Sequence, residues 1–310
     1  MNAISHALES IRIGTPVSTG GLTMYPLLSK GAGDPAYLLL DEGLESGLAE
    51  VTEVSESGSV PELFFRNKGE KDILLADGEE LVGAKQNRVL NLSILVAGGQ
   101  ELKIPVSCVE AGRWSWRSKR FASGQRKLHA AARSEKMRRV SESLARSGAH
   151  ADHDVQRAVW DSIDRKISGS RLHSETRSLH DVYGARETLL AAVRDGFGAT
   201  PDQVGAAFAI GGRLVGFDLY DSPATLRKLL PKLVDSYALD AIDEEQALSQ
   251  VRPGAGQVQA LLQRIANAQA QEYPAIGKGS DIRIDAAPTH AAALVADGRV
   301  THVAAFEASA

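Results

Sequence analysis

The stretch Gly78–Trp116 reads GEELVGAKQNRVLNLSILVAGGQELKIPVSCVEAGRWSW and contains two alternating apolar runs on either side of a glycine pair. Alternate residues of a strand share a face, so each run predicts a strand with one apolar stripe. The stripe residues are Leu90, Leu92, Ile94 and Val96 in the first run and Leu102, Ile104, Val106 and Cys108 in the second. Because both stripes must face one core, the stretch predicts an antiparallel hairpin with a loop of odd length.

Loops of three or of five residues that end at Gln100 both satisfy this condition. The shorter loop pairs Arg88 with Glu110, and the longer loop pairs Arg88 with Cys108 and Gln86 with Glu110. In both cases these polar residues meet at the open end of the hairpin, on the side that faces the core. A charge in that position is costly unless it is paired or lines a cavity, so the pattern indicates either a buried ion pair of Arg88 with Glu110 or a ligand pocket. Cys108 lies on an apolar stripe and is expected to be buried and inert.

The residues before this stretch are also rich in short apolar runs, so residues 1–117 are predicted to form an antiparallel, β-rich domain. The dipeptide Asp77-Gly78 lies between DILLA and EELVG and predicts a two-residue hairpin turn. Glu79 and Glu80 follow that turn on alternate faces of the next strand, so one of them is expected to point inward.

After Trp116 the pattern changes, and residues 118–310 are predicted to form a helical and mixed antiparallel-sheet domain. The predicted helices cover about residues 128–146, 152–167, 178–194, 223–241 and 257–271. Gly211-Gly212 separates two apolar strands and predicts a hairpin turn. Ser222 as N-cap and Pro223 at the first helical position mark a helix start. The chain is therefore predicted to have an α+β fold.

The segment from Arg113 to Arg139 carries ten Lys or Arg residues and a single acidic residue. It also contains Trp114 and Trp116, and arginines beside flat aromatic rings suit phosphates and stacked bases. The alternative is a solvated basic helix, which is the preferred interpretation for residues 126–139. Nucleic acid is therefore retained as one candidate partner.

Composition restricts the class of protein more than the function. The 35 Lys and Arg residues nearly balance the 39 Asp and Glu residues, so net charge selects no partner. A single cysteine excludes an internal disulfide and a thiolate zinc cage, which fits a reducing compartment. The first residues lack the apolar core of a signal peptide and no apolar run is long enough to span a membrane, so a cytoplasmic protein without membrane contact is expected.

The search for cofactor-binding and metal-binding motifs provides little evidence of function. The run HADHD at residues 150–154 is interpreted as a helix start capped by Asp152 rather than as a metal site. No dinucleotide fingerprint or phosphate loop surrounds Gly211-Gly212, so neither a cofactor nor a metal is predicted.

Two longer motifs resemble a known family. GEELVGAKQNRVLN at Gly78–Asn91 and IPVSCVEAGRW at Ile104–Trp114 resemble a bacterial family of uncharacterised domains, named for its association with ADP-ribosylglycohydrolases and with rhodanese or phosphatase-superfamily proteins. QRAVWDSI at residues 156–163 and GGRLVGFDLYDSPATLRKLL at residues 211–230 are also similar, so the resemblance covers most of the chain. It implies a context in NAD, ADP-ribose or nucleotide metabolism and supplies no catalytic residue.

Together these observations predict a pocket built from Gly78–Asn91 and Cys108–Trp116, closed by the helical region around Gln156 and Trp160, that takes a phosphorylated, nucleotide-like or ADP-ribose-like small molecule. The predicted ligand contacts are phosphate-binding Lys85, Arg88 and Arg113, stacking Trp114 and Trp116, and polar Gln86, Asn87 and Asn91. Glu80 and Glu110 are the inward carboxylates, and they suit hydrolysis by an activated water. The alternative is a scaffold that contacts a protein or RNA through residues 113–139. The sequence leaves open whether the protein is an enzyme and what its oligomeric state is.

Overall fold

The computed structural model describes residues 3–56, 58–169, 172–243 and 252–308. The helices are α1 (Ala3–Glu9), α2 (Leu40–Glu45), α3 (Ala130–Ser147), α4 (His153–Gly169), α5 (Leu179–Ala185), α6 (Glu187–Arg194), α7 (Pro223–Asp243) and α8 (Ala255–Asn267). The strands of the first half are β1 (Arg12–Ile13), β2 (Val17–Thr19), β3 (Leu22–Leu28), β4 (Tyr37–Leu39), β5 (Ala49–Glu53), β6 (Glu62–Asn67), β7 (Asp72–Leu75), β8 (Glu79–Gly83), β9 (Arg88–Leu90), β10 (Ile94–Val96), β11 (Glu101–Cys108) and β12 (Phe121–Lys127). The later strands are β13 (Gln203–Ile210), β14 (Arg213–Tyr220), β15 (Ala270–Pro274), β16 (Ser280–Ala286), β17 (Thr289–Ala296) and β18 (Arg299–Glu307). The predicted α+β class is confirmed.

The chain divides into two compact units. The first comprises Met1–Pro35, Thr188–Ala275 and Gly279–Ala310, and the second comprises Ala36–Glu187 and Ile276–Lys278. The boundary expected between residues 117 and 118 falls inside the second unit, because β12, which follows it, pairs with β8, which precedes it. Among the described helices, none combines the length and the apolar character that a membrane crossing requires.

The first unit is built on an antiparallel sheet with the strand order β1-β3-β13-β14-β18-β17-β16-β15, and β2 also pairs with β3. One face of the sheet packs with α1 and α8 around an apolar core that includes Leu8, Leu27, Phe217, Leu261 and Val303. On the other face Phe208 stacks on Tyr237 of α7, with ring centroids 4.1 Å apart.

Local signals in this unit are confirmed. Gly211-Gly212 forms the turn between β13 and β14. Ser222 Oγ accepts a hydrogen bond from the Ala224 N–H at 3.2 Å, and Pro223 is the first residue of α7. The two helix predictions that failed in part lie over residues 178–194, which break at Arg186 into α5 and α6, and over residues 257–271, where α8 ends at Asn267 and a strand follows.

The second unit contains a six-stranded sheet with the order β12-β8-β9-β11-β6-β5, whose two end strands contact each other. The sheet therefore curls around an apolar interior, and α2 packs against β5 and β12 at the seam. The interior side chains include Val51, Leu63, Phe65, Leu81, Leu90, Ile104 and Val106. A second sheet, β10-β7-β4, carries the one parallel pair among the described strands, β4 with β7.

The hairpin predicted at Asp77-Gly78 is wrong. β7 before the turn pairs with β4 and β10, whereas β8 after it pairs with β9 and β12, so the turn passes the chain from one sheet to another. The turn is closed locally, since the Glu79 N–H donates to the Ala76 carbonyl at 3.2 Å and Glu79 Oε2 accepts from the Ala76 N–H at 2.9 Å.

The hairpin predicted from Arg88 to Glu110 forms only at its open end. Arg88 pairs with Cys108 and Leu90 with Val106, which is the register of the five-residue loop. Beyond Leu90 the strands separate, because β10 leaves to pair with β7 and the first half of β11 pairs with β6. The alternation of apolar residues determined which side chains face the interior. The hairpin opens beyond Leu90 because β10 and the first half of β11 pair with other strands.

Candidate functional site

Arg88 begins β9 and continues the inward stripe of the curled sheet, where its side chain is completely buried. Its Nη1 donates to Gln86 Oε1 at 3.2 Å, and its Nη2 lies 3.9 Å from Glu53 Oε1. We call a buried polar atom open when it has no hydrogen-bond partner among the described residues. By that definition both Nε and Nη2 of Arg88 are open. Burial lowers the pKa of this guanidinium, because desolvation disfavours its charged form.

Glu53 is the acidic partner of Arg88 and was not among the residues predicted from the sequence. Ala49, Val51 and Glu53 are the buried positions of β5, so Glu53 continues an inward stripe in the same way as Arg88 does. Glu53 Oε1 accepts from the Lys85 N–H at 3.3 Å, and Glu53 Oε2 is open. A charged residue that extends an apolar stripe was the signal that could have identified it.

Two exposed tryptophans lie beside this pair. The side chains of Trp114 and Trp116 are 48% and 51% exposed, and Lys85 Nζ lies 5.5 Å and 5.2 Å from their ring centroids. The Arg88 Cζ atom lies 5.6 Å from the Trp114 ring centroid, within cation–π distance. We refer to Glu53, Lys85, Arg88, Trp114 and Trp116 as the Arg88 cluster.

Glu110 does not pair with Arg88, so the ion pair that the sequence left open as one alternative does not form. Its carboxylate accepts from Arg113 Nε at 2.8 Å and from the Asn87 N–H at 3.3 Å. Burial alone would raise the pKa of Glu110, but the hydrogen bonds and the charge of Arg113 outweigh burial and lower it. The backbone carbonyl of Glu110 accepts from Gln86 Nε2 at 2.7 Å, which links Glu110 to the Arg88 cluster through Gln86.

Arg113 holds the loop together rather than facing open space. Besides Glu110, its guanidinium donates to Ala84 O and Ser115 O at 2.8 Å, to Asn87 Oδ1 at 3.1 Å and to Gly83 O at 3.4 Å. A guanidinium has five N–H donors, and these contacts engage all three of its nitrogens. Arg113 and Asn87 are thereby committed to protein partners.

Asn91 lies on the outer face of the sheet, away from Arg88. Its Oδ1 accepts from Ser107 Oγ at 2.7 Å, and its Nδ2 donates to His150 O at 3.3 Å. Gln156 Oε1 accepts from the Cys108 N–H at 2.8 Å, and Gln156 Nε2 donates to the Cys108 carbonyl at 3.0 Å. Cys108 itself is buried as predicted, and burial raises the pKa of its thiol to about 11.

Glu80 also points away from Arg88. Leu81 pairs with Arg88 across β8 and β9, so Glu80, the preceding residue, lies on the opposite face of the sheet. Glu80 is fully buried, and both of its carboxylate oxygens are open. Burial raises the pKa of Glu80 to about 8, so the side chain is neutral at pH 7. A β-bulge brings Gly124 so close that a Cβ there would lie 2.5 Å from Glu80 Oε2.

Much of the basic stretch is buried around Asp77, so a fully solvated helix over residues 126–139 is wrong. Arg133 Nε donates to Asp77 Oδ2 at 3.1 Å, Lys136 Nζ donates to Asp77 Oδ1, and Lys127 Nζ donates to the Asp77 carbonyl. We call these four residues the Asp77 cluster. Burial alone would raise the pKa of Asp77, but the three cations outweigh it and lower the pKa to about 2.

Four other charged residues of α3 are paired with one another along the helix. Arg138 and Arg139 bond to Glu135 and Glu142, at spacings of three and four residues. The strand β12 at residues 121–127, which the sequence analysis did not predict, separates them from the tryptophans. Asp152 caps α4 as predicted, accepting from the Val155 N–H at 2.9 Å. Within the ranges that the structure describes, no group of three or more His, Cys, Asp or Glu side chains could hold a metal ion.

A family model described as the ARG and Rhodanese-Phosphatase-superfamily-associated Protein domain matches residues 10–306 of the chain. The match covers both compact units. No curated protein and no solved structure matches the chain.

Proposed function

The chain belongs to the ARG and Rhodanese-Phosphatase-superfamily-associated Protein (ARPP-1) family, and we propose that its second unit binds a nucleotide-like phosphorylated ligand at the Arg88 cluster. The observation that carries this proposal is the pair of open nitrogens on the buried Arg88 side chain. A buried donor without an acceptor costs free energy, and a ligand that supplies the acceptor recovers it.

The neighbouring side chains fit the two ends of such a ligand. Trp114 and Trp116 are large exposed aromatic rings beside a buried polar centre, and rings of this kind stack on the bases of nucleotides. Arg117 and Lys119 are exposed on the same loop, and their charges suit phosphate oxygens. Stacking and charge together favour a base attached to phosphate over either part alone.

The family context narrows the ligands to test first. The family takes its name from an association with ADP-ribosylglycohydrolases and with rhodanese and phosphatase proteins. ADP-ribose, NAD and ADP are therefore the first ligands to measure, and they share a base, a ribose and a diphosphate.

We propose binding and not hydrolysis at this cluster. Glu80 lies on the opposite face of the sheet from Arg88, and the Glu110 carboxylate is engaged by Arg113. Glu110 Oε1 also lies 3.6 Å from Arg117 Nη2, so this carboxylate is engaged by two arginines. The alternative of a scaffold that uses the basic stretch loses support, because Arg113, Lys127, Arg133 and Lys136 are buried and bonded within the unit.

The test is a thermal-shift and calorimetric titration of the full chain with ADP-ribose, NAD and ADP. A ligand at about 100 times its dissociation constant is expected to add about 2.7 kcal/mol of stability. Trp116→Ala and Arg117→Ala should weaken binding with little change in melting temperature, since both side chains are exposed. Arg138→Ala is the matched control, because this arginine is partly exposed on α3 and pairs with Glu135 and Glu142 of the same helix. The proposal fails if none of the three ligands binds at millimolar concentration.

A further inference from the structure

We infer that the Arg88 cluster takes the uncharged, heteroaromatic end of its ligand, a ring edge that carries a hydrogen-bond acceptor beside an N–H donor, and leaves the phosphates outside. This inference rests on the proposed function and deepens it by assigning which end of the ligand is buried.

The buried side chains offer a donor edge next to an acceptor. Nε and Nη2 lie on one edge of the planar guanidinium of Arg88, and both are open. Glu53 lies beside them, with Oε1 at 3.9 Å from Arg88 Nη2 and with Oε2 open. A complementary ligand edge therefore presents an acceptor toward Arg88 and an N–H toward Glu53. Adenine, with a ring nitrogen beside its amino group, and a carboxamide such as that of nicotinamide both have this pattern.

The charge of the pair argues against a phosphate at this position. Glu53 already balances the charge of Arg88, and both side chains are buried. A phosphate brought to Arg88 would lie against the Glu53 carboxylate in a medium that screens charge poorly, so repulsion would oppose its binding. Phosphates are better placed at the exposed Arg117 and Lys119, where water and cations surround them.

The cover of the pair consists of an aromatic ring and a glycine. A Cβ at Gly58 would lie 3.1 Å from the Trp114 ring, 3.3 Å from the Lys85 side chain and 3.4 Å from Glu53 Oε2. Since Gly58 has a φ of +79°, a side chain is disfavoured there on conformational grounds as well. To reach the open atoms, the ligand ring must displace the Trp114 ring from Arg88, so binding is expected to change tryptophan fluorescence.

The experiment compares matched ligands on the full chain by calorimetry and tryptophan fluorescence. Adenosine is set against purine riboside, which keeps the ring and lacks the amino donor, and nicotinamide is set against nicotinate, which replaces the amide by a carboxylate. Pyrophosphate and ADP-ribose complete the panel. At least one of the two pairs should favour the ligand with the N–H donor by tenfold or more, because an unpaired Glu53 oxygen rejects the analogue.

The variant Glu53→Gln should reduce that preference toward equality while pyrophosphate binding stays unchanged. Glu62→Gln is its control, since Glu62 lies on the neighbouring strand β6 and pairs with Lys103 at the surface. If Glu53→Gln does not fold, the comparison of the matched ligand pairs on the wild-type protein still tests the inference. Binding of ADP-ribose and pyrophosphate without binding of adenosine or nicotinamide would overturn the inference and leave the proposed function intact, as would equal affinity within both pairs. Absence of binding to the whole panel would overturn both.

Discussion

The Asp77 cluster and the Arg88 cluster are both groups of buried charges in the second unit, but they differ in how their polar atoms are satisfied. Both carboxylate oxygens of Asp77 accept hydrogen bonds, and Lys136 adds bonds to the carbonyls of Leu90 at 2.9 Å and Asn91 at 2.8 Å. In the Arg88 cluster, Arg88 Nε, Arg88 Nη2 and Glu53 Oε2 are all open. The first cluster is complete within the protein, whereas the second keeps polar atoms that the proposed ligand would satisfy.

Whether the polar atoms are satisfied distinguishes the two clusters better than burial or charge does, because both clusters are buried and charged. A satisfied network in a poorly screened interior fixes the positions of the elements that meet there, here the turn between β7 and β8, strand β9 and helix α3. A network with open atoms costs stability in the free protein and favours whatever supplies the missing partners. Glu80 is a third case, since it is open at both oxygens but neutral at pH 7.

The largest expected effect comes from breaking the Asp77 cluster. Asp77→Ala leaves three buried cations without their shared carboxylate and should cost about 4 kcal/mol in the free energy of unfolding. Because the pKa of Asp77 is lowered to about 2 in the folded protein, its contribution is present above about pH 4 and is lost as the pH falls toward 2. Chemical denaturation of both proteins across this range measures the effect.

Glu101→Gln, which removes an exposed partner of Arg66, is the control and should cost less than about 0.5 kcal/mol. A loss for Asp77→Ala as small as that of the control would contradict a structural role for the cluster.

An effect with the opposite dependence on pH, which develops gradually as the pH rises, is expected at Glu80. The pKa of Glu80 rises from an ordinary 4.5 to about 8 on folding, so the folded protein binds the proton more tightly than the unfolded chain does. Wild-type stability should therefore fall as the pH rises from about 5 to 8, by up to about 1.4 kcal/mol per pH unit from this group. Glu80→Gln should remove this slope and be the more stable protein at pH 8. Parallel stability profiles for the two proteins would show that Glu80 is ionised in the folded state.

The smallest effect on stability is expected when Arg88 and Glu53 are replaced together. The double variant Arg88→Met with Glu53→Gln removes both buried charges together and keeps the side-chain volumes similar. Replacement of an incompletely satisfied buried ion pair is often neutral or stabilising, so the unfolding free energy should change by less than about 1 kcal/mol. Ligand binding should be lost, as titration with ADP-ribose would measure. A loss of stability as large as that of Asp77→Ala, with binding retained, would make the two clusters equivalent and remove the basis for a site at Arg88.

Features that depend on adjacent residues were predictable from the sequence. Ser222 and Pro223 mark the start of α7 because a side-chain cap and a fixed φ act within one helical turn. Gly211-Gly212 connects β13 to β14 because the strands on either side are consecutive and pair directly with each other. The inward orientation of Arg88 followed from the two-residue period of its strand.

Features that depend on the choice of strand partner were not predictable. Asp77-Gly78 has the composition of a hairpin turn, yet β7 and β8 join different sheets. The residues of β12 carry too many polar and basic side chains to resemble a strand, and its pairing with β8 compensates for that composition. Glu80 and Arg88 fall into one motif of the sequence but lie on opposite faces of the sheet.

The sequence by itself determined that Arg88 is buried and charged, because alternation along a strand assigns each side chain to a face. Only the tertiary structure decided that its acidic neighbour is Glu53 and not Glu110. β6 pairs with both β5 and β11, and this places Glu53 on the same inner face as Arg88, while Arg113 takes the Glu110 carboxylate. The face of a residue is set by local backbone geometry, whereas its neighbour across the sheet is set by which distant strands bury the most apolar surface together.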